Sequence, residues 1–105
     1  MENLKYCLIN TGEGVYYCEE GDTLDEIAVK FNTTKELIVK DNRLEGEVAV
    51  GDIIYVKRYK KIYEVQVGDT PFSVANKLQT TEEELFAVNK INYVYPFLKV
   101  VSDKD

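Results

Sequence analysis

The stretch EEGDTLDEIAVKF, residues 19–31, returns in altered form as VQVGDTPFSVANKL, residues 65–78. Both carry Gly-Asp-Thr followed by an apolar-periodic run that includes Ala. Sliding the chain along itself by 47 positions superposes the two. Tyr16 then meets Tyr63, Gly21-Asp22-Thr23 meets Gly68-Asp69-Thr70, and Ala28 meets Ala75. Lys30 meets Lys77, Thr33-Thr34 meets Thr80-Thr81, Glu36 meets Glu83 and Asn42 meets Asn89. These identities fall without a gap, and the apolar positions between them match as well. A duplicated structural unit is the reading of such periodicity.

Each copy predicts the same local elements. Tyr16-Tyr17-Cys18-Glu19 and Ile62-Tyr63-Glu64-Val65-Gln66 are short, aromatic and β-branched, the signature of strands. Gly21 and Gly68 make the turn that follows. Thr23 is expected to cap a helix, with Glu26 closing a capping box and Asp22 near the positive helix end. In the second copy Thr70 caps and Pro71 falls at the first helical position, where a missing N–H costs nothing. The helical spacing buries Leu24, Ile27, Ala28 and Phe31 in one copy, and Val74, Ala75 and Leu78 in the other. A second helix starts at Thr34 and at Thr81, the latter with Glu84 as box partner. Ile38 and Leu85 anchor these helices, and Asn42 and Asn89 are expected to end them in the left-handed conformation that Asn tolerates. Ile53-Ile54-Tyr55-Val56 returns as a strand after Gly51. The second copy lacks that glycine and offers Pro96-Phe97-Leu98-Lys99-Val100-Val101 instead. The fold class is α+β: two consecutive βααβ modules, the first extended by an N-terminal β-strand. The expected divisions are residues 1–15 (strand and hairpin turn), 16–56 (first module), 57–61 (basic linker) and 62–105 (second module).

Thr11-Gly12-Glu13-Gly14 is a turn signal, so residues 4–18 predict a hairpin. A loop centred on Gly12-Glu13 sets Cys7 opposite Cys18 and Ile9 opposite Tyr16. Three readings of the cysteines stand: two buried free thiols, a cross-strand disulfide between Cys7 and Cys18, or a redox role for which no neighbouring base is in sight. The linker Lys57-Arg58-Tyr59-Lys60-Lys61 has neither Gly nor Pro. Extended, it reaches at most ~18 Å, so the modules are expected to lie close together.

The chain has 105 residues, a net charge of −6, two cysteines and no histidine. Zinc sites of the usual spacing and Ser-His-Asp or Cys-His catalysis are thereby excluded. No metal or cofactor is implied. An acidic surface disfavours nucleic acid, and no apolar run is long enough to span a membrane. The N-terminal residues carry no signal-peptide pattern, which predicts a cytoplasmic protein, or a wall-associated one if the chain is part of something longer. The acids Glu82-Glu83-Glu84 stand at a helix start, where the dipole stabilises them. No second carboxylate is placed across a cleft from them as glycosidase chemistry requires.

The ordered set Tyr16-Tyr17-Cys18, Gly21-Asp22-Thr23-Leu24, Ile27-Ala28, Asn42-Arg43-Leu44 and Gly51-Asp52-Ile53-Ile54-Tyr55-Val56 resembles the LysM module. The second copy follows through Tyr63-Glu64-Val65, Gly68-Asp69-Thr70, Val74-Ala75 and Asn89-Lys90-Ile91. It departs at Pro71, where the family has Leu, and in its missing glycine; the first copy has Cys18 where the family has Val. The resemblance implies a non-catalytic protein that binds N-acetylglucosamine polymers: peptidoglycan, its precursors or chitin-like oligosaccharides. It also leaves open an intracellular protein–protein adaptor of spore-coat or phage-tail-like assemblies. The family groove, carried over, would use Gly21, Asp22, Thr23, Leu24 and Asp25 facing Asn42, Arg43, Leu44 and Glu45. In the second copy it would use Gly68, Asp69, Thr70, Pro71 and Phe72 facing Asn89, Lys90, Ile91 and Asn92. Helix capping and chain termination compete for Asp22, Thr23, Asn42 and Asn89. Core packing, sugar stacking and a partner interface compete for Tyr93-Val94-Tyr95-Pro96-Phe97.

Overall fold

A computed structural model describes residues 6–8 and 12–104. The chain divides into two units, Met1–Arg58 and Tyr59–Asp105. In the first, strands β1 (Tyr6–Leu8), β2 (Glu13–Tyr17) and β3 (Ile53–Lys57) form an antiparallel sheet in the order β1-β2-β3. Helices α1 (Leu24–Lys30) and α2 (Lys35–Asn42) lie between β2 and β3 in sequence. In the second, β4 (Lys61–Glu64) pairs with β5 (Lys99–Ser102) around α3 (Pro71–Lys77) and α4 (Glu82–Asn89). The outer residues of the basic segment 57–61 thus belong to strands β3 and β4.

Each unit has its own apolar core. Tyr16, Leu24, Ile27, Phe31, Ile38, Ile54 and Val56 form the first, with the Tyr16 and Phe31 rings edge to face at 5.5 Å. Val65, Val74, Leu78, Leu85, Leu98 and Val100 form the second. The residues that helical spacing assigns to the core are buried as expected. Burying a large aliphatic side chain contributes about 1.5–3 kcal/mol, which is what holds helices of seven and eight residues together.

Both copies use the same devices at helix ends. Thr23, Thr34, Thr70 and Thr81 each accept from the backbone N–H three residues on. The capping boxes differ from expectation. Glu26 closes none, and Glu84 instead accepts from the Thr80 hydroxyl at 3.0 Å and pairs with Lys104 at 3.1 Å. The closed box belongs to Thr70 and Ser73. The left-handed residues after α2 and α4 are Arg43 (φ 54°) and Lys90 (φ 57°), not the asparagines before them. There the Leu44 N–H reaches the Val39 carbonyl and the Ile91 N–H reaches the Phe86 carbonyl, closing Schellman-type ends.

The hairpin register also differs. Tyr6 lies opposite Tyr16 and Cys7 opposite Val15, so Cys7 and Cys18 do not face each other. Strand β2 begins at Glu13 because it pairs with the whole of β3, Glu13 against Lys57, and Gly12 accepts the Arg58 N–H. The pairing is shifted by three residues from the expected register; Ile9 lies outside the described residues. Cys18 is a buried free thiol, which removes the Cys7–Cys18 disulfide, and burial pushes its pKa up.

Candidate functional site: the groove of each unit

The Gly-Asp-Thr phrase builds one wall. Gly21 and Gly68 take φ of +88° and +92°, a conformation that costs little only without a Cβ. The aspartate then pins the turn. Asp22 Oδ2 accepts from the Glu19 N–H at 2.7 Å and from the Tyr16 hydroxyl at 2.6 Å. Asp69 Oδ2 accepts from the Gln66 N–H at 2.9 Å and the Tyr63 hydroxyl at 2.5 Å. Lys30 and Lys77 complete the pattern, each donating to its tyrosine hydroxyl. Asp69 has two further partners, Ser73 at 2.7 Å and Lys77 at 3.3 Å. The Tyr63 hydrogen bond foremost, then those of Gln66, Ser73 and Lys77, hold its carboxyl well below the usual carboxylate range. Burial first, and Asp22 beside it, push the Tyr16 hydroxyl pKa up. The recurring triplet is therefore a structural lock: glycine for the backbone, aspartate for the turn, threonine for the helix.

Asn42 and Asn89 are locks of another kind. Asn42 Nδ2 donates to the Ile38 and Tyr55 carbonyls, and its Oδ1 accepts from the Tyr55 N–H at 2.6 Å. Asn89 repeats this with Leu85 and Val101, the Val101 N–H lying 2.8 Å away. Each amide occupies the place of a neighbouring strand's peptide along the closing strand. Every hydrogen-bonding atom of these side chains faces protein.

In the first unit the expected residues do converge in part. Leu24, Leu44 and Glu45 line a cavity of about 390 Å³ together with Lys35, Val39, Gly46 and Glu47. Leu24 is buried and Leu44 half-buried, so they form floor rather than rim. Val39 and Leu44 meet there because the Schellman end of α2 brings those positions together. Asp25, Arg43 and Glu45 are exposed. Glu47 is the residue that sequence reading missed. Its Oε1 accepts from the Leu24 N–H at 2.8 Å and the Val48 N–H at 3.1 Å, tying the α2–β3 loop to the start of α1. Local sequence carries no signal of a bond spanning 23 positions.

In the second unit the equivalents diverge. Pro71 stands where Leu24 is and has no N–H to offer; the loop after α4 is one residue shorter, so Val94 packs on its core as Val48 does and Tyr93 stands in the place of Glu47. Gly68, Thr70, Phe72, Lys90 and Asn92 are exposed, and Ile91 packs half-buried on the core. Another cavity, about 230 Å³, lies away from these residues between α4 and β5, lined by Leu85, Val88, Val101 and Lys104 among others. No group of His, Cys, Asp and Glu among the described residues is arranged to hold a metal ion. No described helix is long and apolar enough to cross a membrane.

A family model described as the LysM domain matches residues 16–57 and 63–100. The chain belongs to the LysM family. Each matched segment falls within one of the two units. No curated protein sequence matches the chain. Among solved structures, it is similar to the spore cortex-lytic enzyme SleL of Bacillus cereus, at 23% identity and a TM-score of 0.43, over 89% of this chain and 23% of that one. It is also similar to SleL of Bacillus megaterium QM B1551, at 21% identity and a TM-score of 0.45, over 87% of this chain and 22% of that one. The chain thus spans less than a quarter of either enzyme.

Proposed function

We propose that this chain is a non-catalytic binding protein for N-acetylglucosamine polymers, with peptidoglycan or its precursors as the physiological ligand. LysM domains are binding modules for such glycans, and the presence of two LysM segments in one chain is the observation that carries the reading. The cavity of the first unit supports it. An apolar floor of Leu24, Val39 and Leu44 beneath a polar rim of Lys35, Glu45 and Glu47 suits a sugar, which pairs hydroxyl and amide edges with an apolar face. Of the residues carried over from the family, Asp25, Arg43, Glu45, Phe72, Lys90 and Asn92 are exposed candidates for direct contact. Gly21, Asp22, Thr23, Gly68, Asp69, Thr70, Asn42 and Asn89 would shape the groove. We assign 16–56 and 62–105 as the binding modules and 57–61 as the segment that links them. One shallow groove binds weakly, and two on one chain raise apparent affinity when a polymer engages both.

The test is cosedimentation with insoluble peptidoglycan and with chitin. Depletion from the supernatant that soluble N-acetylglucosamine oligomers reverse is the expected result. Protein left in the supernatant at concentrations in the tens of micromolar refutes the reading and favours an adaptor that joins other proteins.

A further inference from the structure

Strand β4 has an open side. In the first unit its counterpart β2 lies between two strands, β3 on one edge and β1 on the other. In the second unit the sheet consists of β4 and β5, so among the described residues no strand lies along the outer edge of β4. The ladder shows which groups that edge presents. The Val65 N–H donates to the Leu98 carbonyl and the Phe97 N–H to the Val65 carbonyl, so Val65 bonds towards β5. Antiparallel bonding alternates along a strand, so Tyr63 and Lys61 do the same opposite Val100 and Ser102. The N–H and C=O of Ile62 and Glu64 then point outwards. Ile62, at 36%, and Glu64 are both exposed.

The first unit shows what such an edge accepts. The offset of 47 positions equates Ile62 with Val15, and Val15 faces Cys7 in the antiparallel pairing of β1 with β2. The same edge of the same fold thus already takes an antiparallel strand at this position. An uncovered edge is a template for another strand unless charge or proline blunts it. Lysine is the common blunting residue, and Lys60 and Lys61 stand here. Glu64 changes their meaning. Lys60, Ile62 and Glu64 alternate along the chain, all three exposed, in the order positive, apolar, negative. Laid antiparallel on a second copy with Ile62 opposite Ile62, this series sets each Lys60 against Glu64 of the other copy. Lys61 then meets Tyr63, and no like charges are opposed. A shift of two residues either way would put Ile62 against a charge, so one register is selected. The ends of the edge are closed. Gln66 Nε2 donates to the Glu64 carbonyl at 2.9 Å, and the Lys60 N–H donates to Asp103 Oδ1 at 3.3 Å. The seam is thereby confined to the groups around Ile62.

We infer that the outer edge of β4 docks the β4 of a second copy of this chain, antiparallel about a twofold axis at Ile62. The result is a continuous sheet in the order β5-β4-β4-β5. Such a seam uses the same patch on both copies, so association closes at a dimer. The dimer carries four LysM segments where one chain carries two, whatever the grooves bind. A seam this short buries less than about 1,200 Å², the range of weak complexes, and a Kd on the order of 100 µM is expected.

The experiment is sedimentation velocity of the whole chain from about 10 µM to about 1 mM, a range that brackets such a Kd. Two-dimensional NMR over the same range locates the contact and confirms that each variant folds. Wild type is compared with Ile62→Lys, with Glu64→Lys, and with the charge swap Lys60→Glu/Glu64→Lys. Lys99 lies opposite position 64 within the chain, an effect common to the last two variants, so their difference reports the seam. Wild type should dimerise, with concentration-dependent amide shifts centred on Ile62 and Glu64. Ile62→Lys and Glu64→Lys should each weaken the dimer about tenfold, because every change acts twice across the twofold axis, and the charge swap should restore most of that loss. A wild-type chain that stays monomeric at the highest concentration overturns the proposal and leaves the edge to some other strand. Concentration-dependent shifts confined to the first unit also overturn it. So does an unchanged dimer in Ile62→Lys, or a folded charge swap that associates no better than Glu64→Lys.

Discussion

Replacing Asn89 with alanine should unfold the second unit or bring it close to unfolding. The Asn89 amide supplies the partners for the Val101 N–H and carbonyl on the outer edge of β5. The residue is 3% exposed, so water cannot take over easily. A buried backbone group left unsatisfied costs about 1–3 kcal/mol, so two cost roughly 2–6 kcal/mol. The Leu85 carbonyl loses less, because the helix still engages it. A unit of this size has about 2–7 kcal/mol of stability in total. Asn42→Ala removes the same pattern around Tyr55, but Asn42 is only half-buried, and its loss should cost about 1–3 kcal/mol less. Asn89→Asp keeps the shape and turns a donor into a carboxylate facing two carbonyls. Its stability should recover in part as pH falls and the carboxyl becomes a donor again. Urea titration read by two-dimensional NMR, with reporters in each unit, measures both transitions separately. The reasoning fails if Asn89→Ala shifts the second unit by less than about 1 kcal/mol, or if Asn42→Ala costs its unit more.

Three other outcomes follow from the same structure. Asp69 has its carboxyl pKa depressed, so its contribution is full above the unfolded value of about 4 and is lost as pH falls below it. Asp69→Asn should therefore flatten the acid side of the second unit's stability profile, read from urea midpoints between pH about 2 and 6. Thr70→Ala breaks a closed capping box and should cost about 1–2 kcal/mol, whereas Thr23→Ala breaks a single cap bond and should cost nearer 0.5–1 kcal/mol. Cys18 should resist a thiol reagent in the native protein and react once denaturant is added, as peptide mass mapping would show, because its thiol is buried and its pKa raised.

Most of the fold was legible in the sequence because most of its determinants are local. Helix caps act over three residues, amphipathic spacing over one turn, and the left-handed glycines within a single residue. Duplication then doubled every signal. Thr23, Thr34, Thr70 and Thr81 were read correctly as caps for that reason, and so were the core positions Leu24, Ile27, Val74 and Leu85. Partners distant in the chain were not legible. The register of β1 on β2 depends on how far β2 runs along β3, and residues 6–8 contain nothing that encodes Lys57. The Glu47 bond to the Leu24 N–H is of the same kind. Local backbone conformation suggests a C-cap role for Asn42 and Asn89, whereas they fill the otherwise unpaired edge of a strand 12 or 13 residues away. Sequence by itself determined the two modules, their element order and their cores, since these rest on contacts between near neighbours. Only the tertiary structure decided which polar groups are consumed inside the protein and which remain for a ligand, since hydrogen-bond satisfaction depends on every element that meets in space.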